Sequence, residues 1–280
     1  MSIKLKKNES FYIREGWFEK AINAVAEDRN RNIFYKNDGI EILGIGSNMV
    51  KGLKYWLKAA NIIDASGSND LTELGELIYT FDRYLDTHFS WFFIHYYMCC
   101  NFDECPINNL FFNSSIRNFN KQNLLDFMLE ELSEESINTK YLESDLNVFI
   151  KTYVNEDIIY NPEDNYICPL SSLKLIKKER GEYRRIRPSY QNLDYLIVFY
   201  ALQEIYGGKP FDIEESMEIK NSPMSIFNLD KYMYSQYLDE MKKTGLITIN
   251  KTAGLNTVYP EKELSLQDAF ELKFGGKQHV

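Results

Sequence analysis

Apolar positions recur at helical spacing through most of the chain. In residues 15–27, Trp17, Phe18, Ala21, Ile22, Ala24 and Val25 fall at i, i+3, i+4 intervals, which predicts an amphipathic support helix. The string Asp38-Gly39-Ile40-Glu41-Ile42-Leu43 predicts a short helix that ends at Gly44-Ile45-Gly46, where glycine tolerates the positive φ of a tight turn. Ser47 or Asn48 is then expected to cap a second helix running to about Ala60. That helix carries Met49, Leu53, Trp56 and Leu57 on one side and Lys51, Lys54, Tyr55 and Lys58 on the other. Ile62-Ile63 and Leu71-Thr72, on either side of the polar loop 64–70, predict two short strands behind the basic helix, the layout of a winged helix. A DNA-reading helix presents small polar and basic side chains, so Ser47, Asn48, Lys51, Lys54, Tyr55 and Lys58 are candidate DNA contacts. The same lysines would also suit the wet face of a protein-docking module.

Further along, residues 76–102 hold the densest aromatic run, with Phe89, Trp91, Phe92, Phe93, Tyr96 and Tyr97 among them. Aromatic side chains stack on splayed bases only in a groove that also attracts phosphate, and the neighbours here are Asp82, Asp86, Asp103 and Glu104. Core packing is therefore the expected role. Helical patterns follow at 121–132 and 140–154. Near the C-terminus, an apolar run at 193–206 closed by Gly207-Gly208 and a helix over 228–243 lead into strands at 245–250 and 255–259. This repeats the N-terminal order of helix, strand, turn and strand. The expected fold class is mainly α with small β-hairpins, an α+β protein in which two winged-helix-like modules flank a helical middle. The expected parts are 1–85, 86–187 and 188–280.

Composition adds limits. With 44% hydrophobic and 15% aromatic residues over 280 positions the chain is long and apolar enough to bury real cores, which excludes disorder for most of it. The net charge of −9 excludes an overall basic coat. The charge is uneven: residues 1–60 balance at +4, 61–170 at −14 and 171–280 at +1. Acidity thus belongs to the middle, as a solvated helical face or as a surface for a basic partner subunit. Between Leu173 and Pro188 lie Lys174, Lys177, Lys178, Arg180, Arg184, Arg185 and Arg187. This run is either a phosphate-tracking strap, with Lys177, Lys178, Arg184, Arg185 and Arg187 as contacts, or a solvated connector. No apolar leader or spanning segment is present, so a cytoplasmic protein is expected.

Catalytic patterns are sparse. There is no G-x-S-x-G and no phosphate-binding G-x-x-x-x-G-K-[ST], and Gly44-Ile45-Gly46 lacks the third glycine of a dinucleotide loop. Cys99 has only a weak adjacency to His95, and the four cysteines read as ordinary partly buried residues. His88 and His95, seven apart, could share a helix face with Asp82 or Asp86, but no metalloprotease-type spacing accompanies them. Asp212 with Glu218-Ile219-Lys220, and Asp268 with Glu271-Leu272-Lys273, resemble fragments of a metal-dependent nuclease site and arise readily by chance in so charged a chain.

Several strings together carry a family resemblance: Phe11-Tyr12-Ile13-Arg14-Glu15-Gly16-Trp17, then Leu43-Gly44-Ile45-Gly46-Ser47-Asn48-Met49-Val50-Lys51 with Tyr55-Trp56, then Leu71-Thr72-Glu73-Leu74-Gly75, and later Cys168-Pro169-Leu170 with Leu173. They resemble the SspB-like family, a domain of unknown function found in bacterial operons that place sulfur on the DNA backbone, beside a cysteine desulfurase, an ATPase and a PAPS-reductase-like enzyme. The resemblance spans the chain and is strongest over residues 11–100. It implies a DNA-binding component of a phosphorothioation and phage-defence system, with a DNA-nicking activity that would use a divalent metal such as Mg2+. It supplies no catalytic motif that can be laid on numbered positions. A non-enzymatic winged-helix adaptor or a transcriptional regulator is the alternative.

Overall fold

The computed structural model describes residues 3, 5–29, 31–35, 38–132, 137–155, 167–252 and 255–275. The chain divides into two compact units: Met1–Phe111 with Ser115–Ile186, and Phe112–Ser114 with Arg187–Val280. Almost all of 1–85 and 86–187 therefore falls within one unit. Both units are mainly helical with a small antiparallel sheet, an α+β architecture.

In the first unit, α1 (Trp17–Glu27) buries Trp17, Phe18, Ala21, Ile22 and Val25, the stripe its spacing predicts. Helix α2 (Asp38–Leu43) is followed by Gly44 at φ +67 and then by α3 (Ser47–Ala59). The expected strands behind α3 reduce to a single bridge, Ile63 to Leu71. The chain has other uses there. Asp64 accepts hydrogen bonds from Ser66 and Ser68, and the Thr72 hydroxyl donates to Asn61 O at 2.5 Å while accepting from Gly75 N to cap α4 (Glu73–Phe81). Helix α5 (His88–Cys100) is apolar nearly all round and is buried accordingly from Phe89 to Tyr96. Next come α6 (Pro106–Asn113), α7 (Lys121–Glu131) and α8 (Thr139–Tyr153), with α7 packed on α8, and a 3-10 turn at Pro169–Leu173 packs on α5 and α8. Three strands, β1 (Asn118–Phe119), β2 (Ile176–Glu179) and β3 (Glu182–Arg185), form a sheet in the order β1-β3-β2.

The second unit runs α9 (Tyr195–Tyr206), β4 (Phe211–Asp212), α10 (Ile213–Glu218), α11 (Pro223–Ile226), α12 (Lys231–Lys243), β5 (Ile247–Thr252), β6 (Leu255–Pro260) and α13 (Leu266–Phe274). Its sheet order is β4-β6-β5, so the hairpin that follows α12 is completed by a strand from before α10. Carboxylate and hydroxyl caps start its helices: Asp194 for α9, Asp212 for α10, Asp230 for α12 and the Ser265/Asp268 capping box for α13. Among the described residues no helix is long and apolar enough to cross a membrane.

The back of α3 is held by the N-terminal segment. Trp56 Nε1 donates to Phe11 O at 2.8 Å, and a Cβ built on Gly52 would stand 2.7 Å from Asn8 O. Glycine at 52 is what permits that approach. Gly52→Ala should therefore destabilise the fold by about 1–3 kcal/mol, the usual cost of forcing extra atoms into a packed contact. A thermal melt followed by circular dichroism should show a drop of several degrees, with Ser47→Ala, on an exposed site, as the unchanged control.

Candidate nucleic-acid interface

The tight turn at Gly44 projects α3 with Ser47, Asn48 and Lys51 exposed at its start. Neither Ser47 nor Asn48 caps the helix. Gly46 takes the N-cap position in an extended conformation, and Ser47 is already helical. Its hydroxyl is thus released from the backbone role expected of it. Lys51 Nζ donates to Asn48 Oδ1 at 3.3 Å, one turn back on the same face. Lys54 is half-buried with Nζ 5.5 Å from the centre of the Phe34 ring, and burial, followed by the nearby Lys58, lowers its ammonium pKa below the ordinary lysine value. Lys58 donates to Ala65 O at 3.2 Å, which ties the loop 64–70 to the end of α3.

Tyr55 does not belong to the exposed set. Its hydroxyl donates to Glu104 O at 2.9 Å and is enclosed, which pushes the phenol well above its usual value. Its ring lies 4.8 Å from that of Trp56. The residue locks α3 to the body instead of facing a partner.

The basic run forms the hairpin of β2 and β3, turned at Arg180 (φ 50) and Gly181 (φ 88). Positive φ at both turn positions gives the hand of twist that a two-residue hairpin needs. Register places Lys177 opposite Arg184, and Asn118 of β1 on the other side of Arg184, so these three share a cross-strand row. Lys177 also pairs with Glu179 at 2.7 Å. Lys178 is exposed with Nζ 5.7 Å from the centre of the Tyr183 ring.

Arg185 departs from expectation. It is 5% exposed, its guanidinium donates to Phe111 O at 3.3 Å, and its charge sits 5.3 Å from the centre of the Phe111 ring. Burial, with the nearby Arg117 adding, lowers its pKa to about 10. It is an interior cation, unable to reach a phosphate. Arg187 falls at the start of the second unit, where it pairs with Asp230. The hairpin therefore groups Lys177, Lys178, Arg180 and Arg184 and omits two of the arginines expected with them. Arg180 itself, at the tip, was legible as the residue before Gly181 in an otherwise alternating stretch.

The catalytic fragments resolve into structural roles. Asp212 and Asp268 are helix caps, and Lys273 pairs with Asp194. Cys99 does lie beside His95, with Sγ 3.6 Å from Nδ1, but both are fully buried. His95 Nδ1 also meets the Tyr153 hydroxyl at 2.8 Å, and Asn108 donates to that hydroxyl at 2.8 Å. His88 stands at the half-buried start of α5, two turns and a rise of about 10 Å before His95, so the two histidines do not meet. Among the described residues no three His, Cys, Asp or Glu side chains are placed to hold a metal ion.

These features define an α+β protein with a glycine-hinged basic helix and a separate basic hairpin on one unit. The sequence matches the family described as protein of unknown function (DUF4007) over residues 6–272, and the chain belongs to that family. In fold it is similar to the magnesium ion-bound SspB crystal structure, with a TM-score of 0.83, 17% identity and coverage of 97% of this chain and 88% of that one. A second SspB crystal structure aligns with a TM-score of 0.81, at the same identity and coverage. The sequence has no significant match among curated proteins.

Burial also sets the reactivity of the thiols. It is the main cause that pushes Cys99 well above its usual value and Cys105 and Cys168 up to about 12, whereas Cys100 is half-exposed. A thiolate is the reactive form, so raised values with burial mean inert thiols. Titration of the native protein with a thiol-specific disulfide reagent near pH 8 should label Cys100 first, and the other three only after denaturation.

Proposed function

We propose that the protein is the DNA-binding component of a bacterial DNA phosphorothioation system, acting in phage defence beside a cysteine desulfurase, an ATPase and a PAPS-reductase-like enzyme in the cytoplasm. The observation that carries this reading is the placement of Ser47, Asn48 and Lys51 on the open face of a helix that follows a tight turn and is anchored from behind through Trp56. Small polar and basic side chains at the leading end of such a helix suit base edges and phosphates in a major groove. The hairpin cations Lys177, Lys178 and Arg184 supply a second point for phosphates. We assign a helix-turn-helix role to the α2–α3 segment, whose wing is reduced to the bridge of Ile63 and Leu71, and a winged-helix-like role to the second unit, on its order of helix, strand, two short helices, helix and hairpin. Kinship with SspB-like proteins supports the system to which this reading attaches the chain.

Nicking is the finer part of the proposal. The described residues offer no three-ligand group for a metal ion, so this part rests on kinship with SspB-like proteins. Incubation with supercoiled plasmid, with and without Mg2+, tests it directly: open circles that depend on the metal support a nickase. Plasmid that stays closed throughout leaves an adaptor or regulator.

For DNA contact itself, Lys51→Glu with Lys54→Glu should weaken duplex binding and flatten the slope of log affinity against log salt by about 1 unit, one phosphate contact being lost at exposed Lys51 while Lys54 is half-buried. Titrations at several salt concentrations measure this. Equal affinity and slope in the double variant and the native protein would remove α3 from the interface.

A further inference from the structure

On the first unit an open cleft of about 390 Å3 is lined by Glu15, Leu85, Asp86, Thr87, His88, Trp91, Ile167, Pro169 and Ser172. Its floor is apolar and fixed. Trp91 Nε1 donates to Leu85 O at 2.9 Å, and its ring stacks on Phe18 at 5.8 Å. Apolar surface continues to the rim, where Ile167 is 41% exposed.

The rim carries two exposed carboxylates, Glu15 and Asp86. Several other acids of this unit are satisfied: Asp82 by Thr87 and Ser90, Asp145 by Lys6 N and Asn8, Glu104 by Lys7, Glu76 by Arg29. Among the described residues, neither Glu15 nor Asp86 has an ion pair or a hydrogen bond to its carboxylate. At one side of the cleft Lys174 acts on His88, whose ring is bonded to the Ser172 backbone. Two uncompensated carboxylates over an apolar floor repel a phosphate and attract a cation with an apolar stem. Arginine has that chemistry: a planar fork for carboxylates on a chain of methylenes. The volume lies at the small end of ligand-sized cavities, ~300–1,000 Å3, which leaves room for a side chain or two.

We propose that this cleft docks a short segment of a partner protein in which an arginine stands next to an apolar residue, the guanidinium held between Glu15 and Asp86 and the apolar side chain resting on Trp91 and Ile167. The acidic balance of residues 61–170 extends the same attraction beyond the cleft. This inference is independent of DNA reading by α3.

A fluorescent peptide alternating arginine with leucine serves as the probe, its affinity for the full chain read by anisotropy against a counterpart with glutamate in place of arginine. The arginine peptide should bind and the glutamate peptide should not. Glu15→Gln with Asp86→Asn should weaken binding about tenfold, as expected for losing partly desolvated charge contacts, and Ile167→Ser should weaken it as well. Glu130→Gln with Glu131→Gln, exposed acids on α7, should change nothing. Three results would overturn the proposal: equal binding of the two peptides, an equal loss in the α7 control, or a loss of duplex-DNA affinity in the Glu15/Asp86 variant, which would make the cleft a nucleic-acid site.

Discussion

One buried carboxylate organises the first unit. Asp145, on α8 and 6% exposed, accepts from Lys6 N at 2.7 Å and from Asn8 Nδ2 at 2.9 Å. Burial raises its pKa above the ordinary aspartate value, and those two donors partly offset the shift. It thereby pins the N-terminal segment to the helical body. The same segment then offers Phe11 O to Trp56 and the Asn8 backbone to Gly52, so the orientation of α3 is set through residues 6–11. Leaving such a group without its donors costs about 1–3 kcal/mol or more, because a buried charge keeps its desolvation penalty after losing its compensation. The position of the basic helix is thus decided far from its own surface.

Much of the helical framework was legible in the sequence. Periodicity marked α1, α3, α7, α8, α9 and α12 to within a few residues, because each buries a continuous stripe. The aromatic run proved to be core for the physical reason available from sequence: its flanks are acidic. What periodicity missed was set by short contacts. The N-terminal strands gave way to a bridge because Asp64, Ser66, Ser68 and Thr72 bond locally and spare the backbone from a ladder. The run that reads as a phosphate strap or a solvated connector folds as the hairpin of β2 and β3. At period two, Arg185 belongs on the face of Tyr183, which points inward, and that alternation was present in the sequence. No comparable signal separates Tyr55 from Lys51, since its partner, the carbonyl of Glu104, lies 49 residues away.

The charge map gains meaning from these placements. Exposed cations at the start of α3 and on the hairpin belong to the same unit as the exposed acids Glu15 and Asp86. The cleft bearing Glu15 and Asp86 belongs to the acidic part even though Glu15 comes from the basic N-terminal stretch.

The donors to Asp145 differ in kind, and that difference bears on how the sequence can drift. Lys6 contributes its main-chain amide, which almost any residue would supply, while its side chain meets the Tyr141 ring and adds a favourable charge near Asp145. Asn8 contributes its side-chain amide, and its Oδ1 accepts in turn from Ser10 N. An acid at position 8 would face Asp145 as a like charge, and a lysine there would have no acceptor role to give Ser10. Position 6 thus bears on Asp145 chiefly through its backbone, whereas position 8 bears on it through its side chain.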